Sequence, residues 1–160
     1  MSGDRDGDRR HGGEVVPPQP DEAGQAPALW VAALALRGDE LLMVRLGHAP
    51  TAGDWSLPGG ALAAGETLAE AVVRLLCDQT GHEDVLCGPF MSWSEAIDDS
   101  GRSPHRVTMY FSAVVMDAEP AVAGSAAECA WTPTWRAPEL PLSEGLAEFL
   151  ADQDIIDTVV

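Results

Sequence analysis

Residues 60–81, GALAAGETLAEAVVRLLCDQTG, carry the carboxylates Glu66, Glu70 and Asp78, the guanidinium of Arg74 and the amide of Gln79 between two glycines. Positions 75, 78 and 79 are spaced i, i+3, i+4, so on a helix they share one face and are directed at the same point. Oxygen donors gathered on such a face suit a hard divalent cation. Asp78 supplies a carboxylate there, Gln79 only a neutral amide oxygen, and Leu75 nothing. Glu70, Arg74 and Asp78 are also spaced by four, and a solvated charge ladder explains that spacing without any site. Other chemistries find no footing: there is no GxSxG, no P-loop and no zinc spacing. Cys77 would need a nearby His to act as a thiolate nucleophile, and the sequence places none beside it.

The element that must hold these groups is a helix. Thr67 with Glu70 three residues on fits a capping box, Leu68, Ala71, Val72, Leu75 and Leu76 form one apolar stripe, and Gly81 sits where a helix stops; the pattern predicts a helix over 67–80. Upstream, ALWVAALAL and LLMVRL flank the turn at 37–40 and read as a β-hairpin. Downstream, DVLCGPFMSWSEAI and HRVTMYFSAVVM read as strands around the polar turn DDSGRSP, with Pro89 expected to break or edge the first. A short strand near 128–132 and a helix of about ten residues from Ser143 complete the order strand, strand, helix, strand, strand, strand, helix. That order predicts a mixed sheet with helices packed on its faces, an α+β sandwich. Residues 1–26 are rich in Gly, Asp, Arg and Pro and are expected to form a disordered tail, leaving 27–160 as one domain. Within the tail, Arg9, Arg10 and His11 sit among acidic residues and read as solvated.

Residues 60–81 resemble the Nudix box, G-x5-E-x7-R-E-U-x-E-E-x-G-U, where U is a bulky apolar residue. Gly60, Glu66, Arg74, Leu76 and Gly81 fall in register with it. Leu75, Asp78 and Gln79 stand where the pattern has Glu, and His82 stands at its last apolar position, so the box is degenerate. The stretch WSLPGG over 55–60 is similar to the W-x-L-P-G-G lead-in of the family, in which glycines let the backbone turn beside a phosphate. Glu128 before Trp131 and the PELP of 138–141 also match family habits, and the resemblance spans about residues 28–150.

The resemblance implies a MutT-like, Nudix-like α/β/α sandwich that breaks a phosphoanhydride by water attack with Mg²⁺ or Mn²⁺. The substrate would be a nucleoside diphosphate-linked or related small organic pyrophosphate. It implies Glu66, Arg74 and Asp78 as the catalytic set, with Glu66 and Arg74 pairing to brace the loop. Gly60, Asp78, Gln79 and Glu128 would hold the metal; Arg45, Trp55 and His105 would meet the substrate. For the last two the plain alternatives are a core tryptophan and an exposed turn-edge histidine, and His48 is similarly placed in a Gly-rich loop. Trp93, Tyr110 and Phe90 read as core residues. The metal site is expected to be weakened, because even disturbing an outer-shell partner costs about 10- to 100-fold in metal affinity or activity. Two functions follow: a hydrolase with a weakened divalent-metal site, or a non-catalytic module that keeps the cleft for a nucleotide or metabolite.

Composition narrows the partners. The chain has 160 residues and a formal net charge of -17, with 26 acidic residues against 9 basic ones. Every basic residue is Arg. Such a surface repels nucleic acid and anionic lipid at long range, while a few Arg side chains or a bound cation can reverse the field inside a cleft for a small anion. Cys77, Cys87 and Cys129 form no CxxC and read as small, reduced core residues, as in a cytoplasmic protein. No apolar run approaches the roughly 20 residues of a membrane span, and no signal-peptide h-region is seen. The resemblance allows a homodimer, since dimers are common among relatives.

Overall fold

The computed structural model describes residues 26–45, 47, 53–97, 100, 105–117 and 124–157. The expected tail, with Arg9, Arg10 and His11, and the loop residue His48 lie outside the described residues. Strand β1 (Ala28–Arg37) turns through Gly38, at φ 63°, into β2 (Glu40–Arg45), with Leu36 opposite Leu41. Two short strands follow, β3 (Trp55–Ser56) and β4 (Gly59–Ala61), then helix α1 (Leu68–Thr80), β5 (Val85–Ala96), β6 (Arg106–Val115), β7 (Glu128–Pro133), a 3-10 turn at Ala137–Glu139 and helix α2 (Leu146–Asp152). The sheet runs β3-β2-β1-β6-β5, with β4 paired to β1 and β7 paired to β2. β1 and β6 are parallel and the other pairs antiparallel, so the sheet is mixed.

The strands sort their side chains by parity. Val31, Ala33 and Ala35 of β1 join Leu42, Phe111 and Ala113 in a cluster under Ala71, Val72, Leu75 and Leu76 of α1. Ala32 and Leu34 point the other way and join Leu41, Met43, Leu57 and Tyr110 under Leu146, Phe149 and Leu150 of α2. This is the alternation of a strand with both faces covered, and it explains the nearly unbroken apolar run of β1. Helix α1 starts and stops as the sequence predicts. The Thr67 hydroxyl accepts from the Glu70 N–H, the Glu70 carboxylate accepts from the Thr67 N–H, and Gly81 caps the far end at φ 82°.

Several expectations are corrected. Of the two outcomes expected at Pro89, a broken strand does not occur and an edge strand does: β5 ends the sheet path, and Pro89 falls in a register shift between Cys87 and Phe90, where an extra residue removes the need for its missing N–H. Phe90 and Trp93 are not core residues, being 49% and 60% exposed. β5 ends the sheet path, and only Val85, Cys87 and Met91 of it join the two apolar clusters. Cys129 is exposed, whereas Cys77 and Cys87 are half-buried. Helix α2 is shorter and starts later than expected, because the Ser143 N–H bonds the Trp55 carbonyl at 2.9 Å and Gly145 then reverses the chain at φ 85°. The sequence pattern also missed β3 and β4, each too short to show a period.

Strand β4 places the glycine turn. It lies antiparallel to β1, with Val31 opposite Gly60 and Ala32 opposite Gly59, so close that a Cβ on Gly59 would sit 2.4 Å from the Val31 carbonyl oxygen. Backbone cannot yield as a flexible side chain can. Gly59→Ala is therefore expected to destabilise the fold by about 1–3 kcal/mol, the usual cost of overpacking, read as a lowered urea midpoint.

Candidate functional site

The glycine turn and α1 are tied at two levels. At the loop, Arg74 makes a forked contact with Glu66, Nε to Oε2 at 2.6 Å and Nη2 to Oε1 at 2.9 Å, and Nη2 also donates to the Ala61 carbonyl at 3.2 Å. Glu66 accepts the Ala63 N–H as well, at 3.0 Å. The Arg74 hydrogen bond first, then that of Ala63, holds the Glu66 carboxyl well below the usual range, down to about 2. Glu66 in turn raises Arg74. Glu70 is taken up by the cap, and bonds to the Thr67 N–H and hydroxyl lower its carboxyl too.

At the other end of α1, Gln79 grips Gly59 twice: Oε1 accepts the Gly59 N–H at 3.0 Å and Nε2 donates to the Gly59 carbonyl at 2.7 Å. The pairing fixes the amide orientation, since the flipped amide would set donor against donor and acceptor against acceptor. Leu75 belongs to the α1-side core, and its Cδ2 lies 3.0 Å from where a Gly60 Cβ would be. Asp78 is exposed. The last carbonyls of α1 are met by the approach to β7, with Ser125 donating to Asp78 at 2.7 Å and Ala126 to Gln79 at 3.4 Å. Arg45 and Glu128 are cross-strand partners and pair at 2.6 Å.

These contacts bear on the metal that the family implies. Hard cations take several converging oxygen ligands, most of them charged. Here the amide proton of Gln79 faces the one carbonyl of the turn it reaches, Leu75 is packed away, and Glu128 already faces a guanidinium. Among the described residues no group of three or more His, Cys, Asp or Glu is placed to hold an ion. The residues present do not fit a divalent cation in this box.

A cavity of about 420 Å³ opens beside Gln79 and Glu128 and is also lined by Arg37, Thr80, His82 and Trp131. The sequence pattern passed over three of these. Arg37 hid in a turn, Trp131 counted only toward the resemblance, and His82 was visible only as a polar residue where the box has an apolar one. Two expected substrate contacts lie elsewhere. Trp55 packs against the α2-side cluster and pairs with Leu142, and His105 holds Glu95 at 2.6 Å where β5 and β6 meet. Cys77 is no thiolate: burial, then Asp78 and other nearby acids, push its thiol up.

A mixed sheet between two helices, with a glycine turn braced to the helix by Glu66 and Arg74, defines a class. The NUDIX domain family model matches residues 25–153, and the chain belongs to that family. No curated protein matches it. Among solved structures it is similar to the MutT protein of Methanosarcina mazei Go1, at 22% identity and a TM-score of 0.69 over 80% of this chain and 94% of that one. The NUDIX domain of Shewanella oneidensis NrtR, solved with ADP ribose, shares 21% identity at a TM-score of 0.65 over 83% and 90% of the two chains. A bifunctional NMN adenylyltransferase/ADP ribose pyrophosphatase of Francisella tularensis, solved with AMP and a Mn ion, shares 20% identity at 0.60. In that comparison 81% of this chain covers 42% of the other.

A depressed carboxyl contributes stability above its unfolded pKa, which is lost as pH falls through the folded value. The Glu66–Arg74 brace is thus expected to hold from neutral pH to about 4.5 and to disappear toward about 2. In urea unfolding, the difference between the parent and Glu66→Gln should be flat above pH 5 and shrink steadily below 4.5.

Proposed function

We propose that this chain is a Nudix-fold binding module for a nucleoside diphosphate-linked or related small organic pyrophosphate, and that its box does not support metal-dependent cleavage. The grip of Gln79 on both backbone groups of Gly59 carries this reading. A carboxylate at position 79 would leave the Gly59 carbonyl facing a second oxygen, an arrangement that a cation between them makes favourable. The amide proton does the same work without one. Arg45 is the cation offered to phosphate; its ion pair with Glu128 is partly exposed, at 30% and 54%, so exchanging the carboxylate for a ligand anion costs little. The ADP ribose and AMP bound to the Shewanella and Francisella relatives support a nucleotide-type ligand.

One observation favours the alternative, a Nudix pyrophosphohydrolase with a weakened metal site. The Glu66–Arg74 brace is intact and Asp78 keeps a carboxylate on the face of α1 that the resemblance assigns to the metal. In that case Glu66, Arg74 and Asp78 remain the catalytic set. The cysteine usage and acidic surface fit a cytoplasmic protein in either case. Among the described residues no helix is long and apolar enough to cross a membrane.

The two are separated by incubating the protein with nucleoside diphosphate sugars, dinucleoside polyphosphates and nucleoside triphosphates, with and without Mg²⁺ or Mn²⁺. Binding of one class with an affinity indifferent to the cation, and no metal-dependent product, is the expected outcome. Metal-stimulated turnover of any of them would establish the hydrolase instead.

Gln79→Glu is expected to lower stability by about 1–3 kcal/mol in the absence of divalent cations, because it leaves the Gly59 carbonyl without a donor. Combined with Leu75→Glu, it should make the melting temperature rise on adding Mn²⁺, a response the parent lacks.

A further inference from the structure

On the α1 side of the sheet, coverage fails at one corner. The strand registers line up Ala33, Phe111 and Phe90 in one row, Val31, Met109 and Trp93 in the next, and Leu29, Val107 and Glu95 in a third. Residues directly opposite one another on paired strands share a face. Ala33, Val31 and Phe111 are buried in the cluster under α1, whereas Met109 and Val107 are half-buried, Leu29 is 39% exposed, and Phe90 and Trp93 are more open still. Phe90 is held in place by an edge-to-face contact with Phe111, the ring centroids 5.6 Å apart. Next to Phe90 the patch runs into a shallow, mostly apolar groove of about 500 Å³ between Ala69 and Val73 of α1 and Val85 and Cys87 of β5, with Glu70 and Arg74 on its flank. Both flanking charges are already engaged, Glu70 in the helix cap and Arg74 with Glu66.

The corner is also free of charge. Residues 85–94 and 107–116, most of the two paired strands, contain no Asp, Glu, Arg, Lys or His, in a chain where 22% of residues are charged. At the rim, Glu95 is paired with His105 at 2.6 Å. Monomeric proteins usually guard a sheet edge with charged side chains, yet β5 ends the sheet path and carries no charge before Glu95. Two half-open aromatic rings at a neutral place on an acidic surface have the composition of an interface core, rich in aromatic residues and poor in charge.

The charge pattern selects the occupant. A cationic partner has the rest of a surface with a formal net charge of -17 to bind, and nothing draws it to the one neutral corner. For a second copy of this chain the same corner is where two acidic molecules meet without opposing like charges, and a two-fold axis presents the same patch from both sides. The area is sufficient. An aromatic side chain buries about 150–250 Å² when fully covered, so the open parts of Phe90 and Trp93 offer about 200 Å². With Leu29, Val107, Met109 and the groove, the apolar core is on the order of 400 Å², and a polar rim brings it to the scale of the roughly 600–800 Å² per partner of specific interfaces. We infer that this chain forms a two-fold dimer through the α1-side corner of β5 and β6, with Phe90 and Trp93 at the centre of the contact. The groove lies along the first half of α1 and Gln79 near its end, so the dimer stands whether or not the cavity beside Gln79 takes a nucleotide.

The test is sedimentation equilibrium of the full chain across the micromolar range, at low and high NaCl. A mass twice that of one chain is expected. Association should tighten with salt, because the contact is apolar while the repulsion between two acidic molecules is screened. Trp93→Glu sets a charge in the centre of the patch on a side chain already open to solvent, so the fold should keep its circular dichroism while the dissociation constant rises at least tenfold. Trp135→Glu, at a site 69% exposed and outside the patch, should change it less than twofold. A monomer at every concentration, an association that salt weakens, or a dimer untouched by Trp93→Glu overturns the inference. Equal dissociation by Trp135→Glu overturns it as well, since the contact then lies elsewhere. A monomer that floats with phosphatidylcholine vesicles, and ceases to do so as Trp93→Glu, assigns the corner to a lipid surface and overturns the dimer.

Discussion

The contact on which this architecture turns is the approach of the glycine turn to β1 and its capture by α1. Gly59 lies too near the Val31 carbonyl to carry a side chain, and that closeness brings its own N–H and carbonyl within reach of a residue on α1. Gln79 takes both. Arg74, five residues earlier on the same helix, reaches the loop on the other side through Glu66 and Ala61. The turn is thus held from two points of one rigid element. The helix is itself fixed by four apolar side chains buried against the sheet and by caps at both ends. Each amide bond to Gly59 is of ordinary strength, a net of about 0.5–1.5 kcal/mol. Their effect lies in geometry: one side chain satisfies both the N–H and the carbonyl of Gly59, where a carboxylate would leave the carbonyl facing a second oxygen.

Charge follows the same pattern. A chain with a formal net charge of -17 is a poor host for an anion unless its few guanidinium groups are concentrated where the anion goes. Arg37, Arg45 and Arg74 are all found around α1 and β7: Arg37 against Trp131 and Glu40, Arg45 against Glu128 and Arg74 against Glu66. Arg74 is committed, since Glu66 is mostly covered and bonds it through two oxygens. Arg45 is held more loosely, by a half-exposed carboxylate, while Arg37 lies over the Trp131 indole and pairs with Glu40 at 3.7 Å. A phosphate meeting Arg45 would compete with that carboxylate and leave the Glu66–Arg74 brace undisturbed.

Much of this frame was legible in the sequence. The capping box at Thr67 and Glu70, the apolar stripe of α1 and the stop at Gly81 are local signals, and local signals are where sequence patterns are most informative. The hairpin of β1 and β2 was visible for the same reason. What stayed hidden depended on distance in the chain. Gln79 looked like a weak metal ligand because its partner, Gly59, lies twenty residues away on a strand of three residues. His82 looked like a blemish in a motif because the residues it meets, Asp117 at 3.0 Å and Trp131 edge to face, are far along the chain. The exposure of Phe90 and Trp93 depended on which strand ends the sheet, and no period within a strand reports that.

The substitutions in the box form one coherent set. Three carboxylates converging on a turn repel one another and raise the cost of folding until a cation neutralises them. Here the first position is a leucine that belongs to the core, buried beside Leu76, where covering such a side chain contributes about 1.5–3 kcal/mol. The third is an amide that satisfies the turn by itself. Each change turns an electrostatic liability into a packing or hydrogen-bonding gain, and together they leave a site that is complete without metal. Among the described residues the buried side-chain nitrogens without a hydrogen-bonding partner lie outside the box helix, on His82, Arg106 and Trp131.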